Sequence, residues 1–129
     1  MCLTTTRLKL RKTRLPRVYW KVLLGNYGGT RKYTPYKGME VESGVLYEES
    51  GRHFDTRVER IDGKRTFCID GRGYHLFKTW FGARKLWKEI TRAQDAKIVM
   101  AVVPRGTYYI SGDYDGCRSV VVKKVKYKF

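Results

Sequence analysis

Only one stretch of this chain repeats its apolar residues at helical spacing. Trp80, Ala83, Leu86, Trp87 and Ile90 return every three or four residues, the period at which side chains share one face of a helix. Thr79 stands just before them, where its hydroxyl oxygen can accept a bond from an early backbone N–H. Arg84, Lys85 and Lys88 then turn to solvent. The spacing predicts one main helix over about residues 80–92.

The rest reads as strands and turns. Val18 to Leu24 is rich in aromatic and β-branched residues. The clearest local signal is a hairpin, in which Arg57–Ile61 and Lys64–Ile69 flank Asp62-Gly63, a dipeptide suited to the positive φ values of a type I′ turn. Short strands are expected at Glu40–Val41, Gly44–Tyr47, Tyr74–Phe77 and Thr107–Ile110. The apolar run Lys97–Val103 fits a strand buried on both faces. In a last strand, about Ser119–Phe129, Val121, Val125, Tyr127 and Phe129 alternate with Lys124, Lys126 and Lys128, giving a core face and a cationic face. Glycine-rich 25–30 is a loop, and 31–38, with Pro35 inside, is a loop or edge strand. The expected fold is α+β, a mostly antiparallel twisted sheet of about 5–7 short strands with the helix packed on one face.

A chain of 129 residues with 42% hydrophobic content has apolar material for one packed core. Residues 1–17 carry six cations, Arg7, Lys9, Arg11, Lys12, Arg14 and Arg17, and no acid. They read as a basic N-terminal arm, mobile alone and able to order on a polyanion or a neighbouring subunit, ahead of a single domain over 18–129. Across the whole chain 28 Lys and Arg face 12 Asp and Glu, a net charge of +16. Six of those excess charges lie in the arm, so the remainder is basic in its own right. Such an excess repels itself in a folded chain, and an anionic partner relieves it.

Several classes are excluded. The longest apolar run, Ile98–Val103, falls far short of the ~18 residues that span a bilayer. Cations recur from Arg7 to Arg17 where a secretory signal needs an apolar stretch. Cys2, Cys68 and Cys117 are odd in number and widely spaced, so neither a zinc motif nor a disulfide framework is indicated, and a reducing cytoplasm is the expected location. Phosphate-binding loops, dinucleotide fingerprints, nucleophile elbows and the RNA-recognition aromatic motif are all missing. His53 and His75 have no visible orienting partner. Glu48 and Glu49 with Asp55 or Glu59 are not spaced as any recognisable metal site, and Asp113-Tyr-Asp115-Gly116 fits a turn better than a calcium loop. No catalytic set, metal or cofactor is predicted.

Basic and aromatic residues mix in two places. Arg31, Lys32 and Lys37 alternate with Tyr33 and Tyr36, and Arg105 precedes Tyr108 and Tyr109. Cations bind phosphate, arginine through a fork, while tyrosine rings stack on bases. Lys124 and Lys126 stand about 7 Å apart on one strand face, a spacing that can track a phosphate backbone. The same row would also serve to block edge-to-edge aggregation.

Gly73-Tyr-His-Leu-Phe77, the helix with Ala83-Arg84, and Lys97–Tyr109 with its Pro104-Arg-Gly106 together resemble a pattern in small phage-encoded proteins. The resemblance covers roughly residues 70–110 and brings no activity that transfers residue by residue. It implies a role against host defence, one mode being sequestration of a nucleotide signal in a basic pocket, often between subunits. A more distant similarity, to the Gly-Phe-His strand of ADP-ribosyltransferase-like folds, lacks the His, Tyr and Glu set of that chemistry. The expected function is non-enzymatic binding of phosphate-bearing ligands, with nucleic acid leading and a nucleotide messenger as the alternative. Arg31, Lys32, Lys37, Arg105, Lys124 and Lys126 would meet phosphates, and Tyr33, Tyr36 and Tyr109 would stack. No membrane partner is expected, and assembly with further copies is left open.

Overall fold

The computed structural model describes residues 3–25, 32–35, 38–90 and 95–129. The first third of the chain supplies β1 (Leu3–Thr5), β2 (Arg11–Lys12), β3 (Arg17–Gly25), β4 (Lys32–Tyr33), β5 (Glu40–Val41) and β6 (Leu46–Glu48). The hairpin β7 (Asp55–Ile61) and β8 (Lys64–Gly71), then β9 (Tyr74–Phe77), lead to α1 (Trp80–Ile90). Four strands finish the chain: β10 (Asp95–Val103), β11 (Tyr108–Tyr114), β12 (Cys117–Val122) and β13 (Lys124–Lys128).

These thirteen strands form one antiparallel sheet with the path β6-β13-β10-β3-β9-β12-β11-β1-β8-β7. Off that path β2 pairs with β11, and β4 joins β3 to β5. Of the described residues 58% are strand and a single short helix is present, so the fold is mostly β, which overturns the expected α+β fold of about 5–7 strands. The physical reason is length. β1, β2, β4, β5 and β6 have two or three residues each, too few to display a period of two. The expected final strand is also broken at Lys123, so that β12 and β13 take different neighbours.

The local signals correspond to observed geometry. Asp62 and Gly63 both have positive φ, 53° and 75°, and Ile61 pairs with Lys64 across the turn. Gly82 donates its N–H to Thr79 Oγ1 at 3.1 Å, the bond of a helix N-cap. The described helix ends at Ile90, and residues 91–94 lie outside the described residues.

Side-chain alternation sorts the core. Leu23, Leu76, Val99, Ala101, Val120, Val122, Val125 and Tyr127 form the main cluster. Val22, Phe77 and Ala96 meet Ala83 and Leu86 of α1 in a second. Val121 joins Leu3, Phe54, Ile69 and Ile110 in a third. β12 therefore buries both faces. β10, expected to do so, alternates instead: Ala101 is enclosed while Met100 is 40% exposed.

The N-terminal segment enters the sheet instead of standing apart. β1 lies between β8 and β11, and Leu3 is fully buried. A side chain on Gly112 would meet Leu3 Cδ2 and the Thr4 carbonyl, each at 2.4 Å. Its absence lets β1 lie against β11. Lys123, next to the lysine row of β13, is buried as well. Its Nζ donates to the carbonyls of His53 and Arg72 and lies 4.2 Å from the Phe54 ring centroid.

Leu3→Ala should cost about 2–5 kcal/mol of stability, as for other fully buried leucines. Urea unfolding checks this, since an unattached arm would leave the midpoint unchanged.

Candidate polyanion-binding groove

β2 is two residues long, but its pairing is specific: Lys12 stands opposite Tyr108, and Arg11 opposite Tyr109. The next residue fastens the segment down. Thr13 donates its N–H to the Thr107 carbonyl at 2.9 Å, and its own carbonyl accepts from Gly106 N–H at 2.8 Å. The Thr13 hydroxyl donates to the Pro104 carbonyl at 2.8 Å and accepts from Thr107 N–H at 2.9 Å. These four bonds hold residues 11–14 against the 104–107 turn, so cations distant in sequence become neighbours.

The result is a groove of about 940 Å³ lined by Lys9, Arg11, Lys12, Arg14, Arg17 and Arg105, with Tyr109 in its wall and no acidic side chain in its lining. A recess of about 520 Å³ adjoins it, sharing Arg17 and Tyr109 and adding Tyr19 and Lys78. Burial, with Tyr109 alongside, pushes the Tyr19 phenol up from its ordinary value, so it remains a neutral hydroxyl. Burial also pushes the Lys78 ammonium down, and the charges of Arg118 and Arg11 act in the same direction. An anion placed here would offset that repulsion.

The two adjacent tyrosines differ in role. Lys12 Nζ and Arg52 Cζ stand 5.2 Å and 5.1 Å from the Tyr108 ring centroid, a range at which ring and cation attract. Tyr109 is half-buried and packs against the main core, with part of its surface in both the groove and the recess. Chemically, the groove offers arginine forks and ammonium groups to oxyanions and one aromatic surface to a planar group.

Of the site residues named from sequence, Arg105 and Tyr109 come together here. Arg31, Tyr36 and Lys37 lie outside the described residues. Lys32 is buried in β4, where its Nζ and Asp95 Oδ2 each lie 3.0 Å from the point a Gly25 Cβ would occupy. Tyr33 pairs with Leu24 and Glu40. Neither residue lines the groove. Lys124 makes an ion pair with Glu48 at 3.6 Å, and Lys126 stands between Leu46 and Val102 on the neighbouring strands. That lysine row forms no part of the groove lining.

Sequence reasoning noted the cations of residues 9–17 but not their alignment with Arg105, and it missed Tyr19 and Lys78. Thr13 carried the signal only in retrospect, because a threonine among cations has no distinctive pattern. Among the described residues no three His, Cys, Asp or Glu side chains converge as a metal site. No described helix is long and apolar enough to cross a membrane. No protein-family model, curated protein or solved structure matches the chain.

Crowding of like charge makes a test of the groove itself. Arg14→Gln and Arg105→Gln should each raise the melting temperature by about 2 °C at low salt. The gain should vanish near ~0.5 M salt, where screening shortens the range of repulsion to a few ångströms. Thermal melts across a salt series check both halves.

Proposed function

We propose that this protein is a non-enzymatic nucleic-acid-binding protein whose phosphate contacts run along the groove. The observation that carries the reading is the lining itself: six cationic side chains, drawn from residues 9–17 and the 104–107 turn, with no acid among them. A phosphate chain presents charge at regular intervals and rewards such a row by release of its counterions. A single small anion would need only two or three of these groups. Tyr109 is the residue placed to stack on an unpaired base, and the backbone bonds of Thr13 hold the surrounding cations in place.

The test is binding of labelled single-stranded and duplex DNA and RNA across a salt series. The wild type is compared with the combined Arg11→Ala, Arg14→Ala, Arg17→Ala and Arg105→Ala variant. If these four meet phosphates on a duplex, the slope of log K against log salt should shrink by about 3–4. Tyr109→Ala should weaken single strands by ~10-fold and duplexes far less. An unchanged salt slope in the fourfold variant would overturn the assignment.

Sequestration of a nucleotide second messenger is the second reading, favoured by the recess beside the groove. Its 520 Å³ falls within the range of small-molecule sites, with Tyr19 and Tyr109 for a base and Arg17 and Lys78 for phosphate. That reading requires stoichiometric binding of one nucleotide with weak salt dependence.

A further inference from the structure

A third cavity, of about 110 Å³, shares no lining residue with the groove or the recess. It is built on the main core, between β3, β9 and β13, and two polar side chains stand deep in its wall. Lys21 of β3 is 6% exposed, and its Nζ donates to the His75 carbonyl at 2.8 Å. Tyr127 of β13 is fully buried, and its hydroxyl has no hydrogen-bond partner among the described residues. Phe would fill the same volume without leaving a buried hydroxyl unsatisfied. A tyrosine kept there at that cost points to something the hydroxyl serves.

The lining brings together groups of both kinds of charge. Burial pushes the Tyr127 phenol far above its ordinary value, so it acts as a neutral donor. The hydroxyl and the Lys21 side chain both line the cavity and are the donors it offers to an oxyanion. Glu49 and Asp70, both exposed, line the same cavity and offer carboxylates to a cation or a hydrogen-bond donor. Met39 and Pro35 supply apolar wall. A dry cavity of about 150 Å³ holds a six-carbon ring, so this one suits a molecule of roughly five to seven non-hydrogen atoms. That size excludes an enclosed nucleotide. A small molecule that answers both sets of groups carries one carboxylate and one ammonium on a short apolar body, which describes an α-amino acid.

We propose that this cavity binds a small amino acid, its carboxylate on the Tyr127 hydroxyl and the Lys21 ammonium and its ammonium facing Glu49 and Asp70. The site is independent of the groove, and the fourfold arginine variant should bind the amino acid as the wild type does.

The experiment is titration calorimetry of the full chain with glycine, L-alanine and L-serine. Propionate, which lacks the ammonium, and L-alaninamide, which lacks the carboxylate, serve as comparison probes. At least one amino acid should bind saturably below ~10 mM, and Tyr127→Phe should weaken it by ~10-fold or more. Alaninamide should not bind. Propionate should bind more weakly than alanine, and the Glu49→Gln, Asp70→Asn variant should remove that preference. Because Tyr127→Phe deletes one oxygen and keeps the ring, its melting temperature without ligand should equal or exceed that of the wild type. No saturable heat from any of the three amino acids would overturn the proposal. So would equal binding by Tyr127→Phe, or propionate binding as tightly as alanine.

Discussion

The pairing of β3 with β10 is the constraint on which the rest of the molecule depends. It runs unbroken from Arg17 opposite Val103 to Gly25 opposite Asp95. β3 sends Leu23 into the main core and Val22 towards the helix, so one strand gives both layers a shared floor. Its other flank is divided, with β4 taking Leu24 and Gly25 and β9 meeting Trp20. The two strands are separated by about 70 residues of chain, so closing them is entropically expensive before it is rewarded. Loss of this ladder would separate Arg17 and Tyr19 from the 104–107 turn and dissolve the groove with the core.

Surplus positive charge is handled in two physically different ways. Lys21 and Lys123 are drawn inside and donate to backbone carbonyls, of His75 for one and of His53 and Arg72 for the other. The Lys21 bond reinforces the β3–β9 pairing, while those of Lys123 tie down two loop residues that no ladder holds. The cations of residues 9–17 stay outside and are held close together against their repulsion. What holds them is not ionic. The bonds of the Thr13 backbone and hydroxyl to Pro104, Gly106 and Thr107 join uncharged groups, so salt does not screen them. The groove can therefore carry unbalanced charge without depending on charge for its shape.

What the sequence disclosed divides along the range of the interaction. The Asp62-Gly63 turn and the Thr79 cap are written in adjacent residues, because positive φ and an N-cap bond are local requirements. β1 is different. Leu-Thr-Thr shows no alternation, and its burial depends on Gly112 leaving room more than a hundred positions away. Lys32 illustrates the same limit for the site. Among tyrosines and arginines it reads as a phosphate ligand, yet β4 joins β3 to β5 and its side chain is covered. Arg105 and Tyr109 were legible because a turn and a following strand fix them locally. Their companions were not, because Lys12 reaches Tyr108 only through a two-residue strand.

The path of the N-terminal segment also decides what kind of ligand site it can make. A free basic arm loses much conformational entropy when it settles on a polyanion, and that loss is subtracted from its affinity. Here β1 anchors one end of the segment between β8 and β11, and β2 with Thr13 anchors the other against β11 and the 104–107 turn. Only residues 6–10, all exposed, run between those anchors. Lys9 lies on that stretch, while the backbone of Arg11 and Lys12 is held by β11 and that of the 104–107 turn by Thr13. Most of the ordering cost is thus met on folding, by the burial of Leu3 and the Thr13 bonds. Cations that would otherwise act as a diffuse cloud become a surface with a fixed shape.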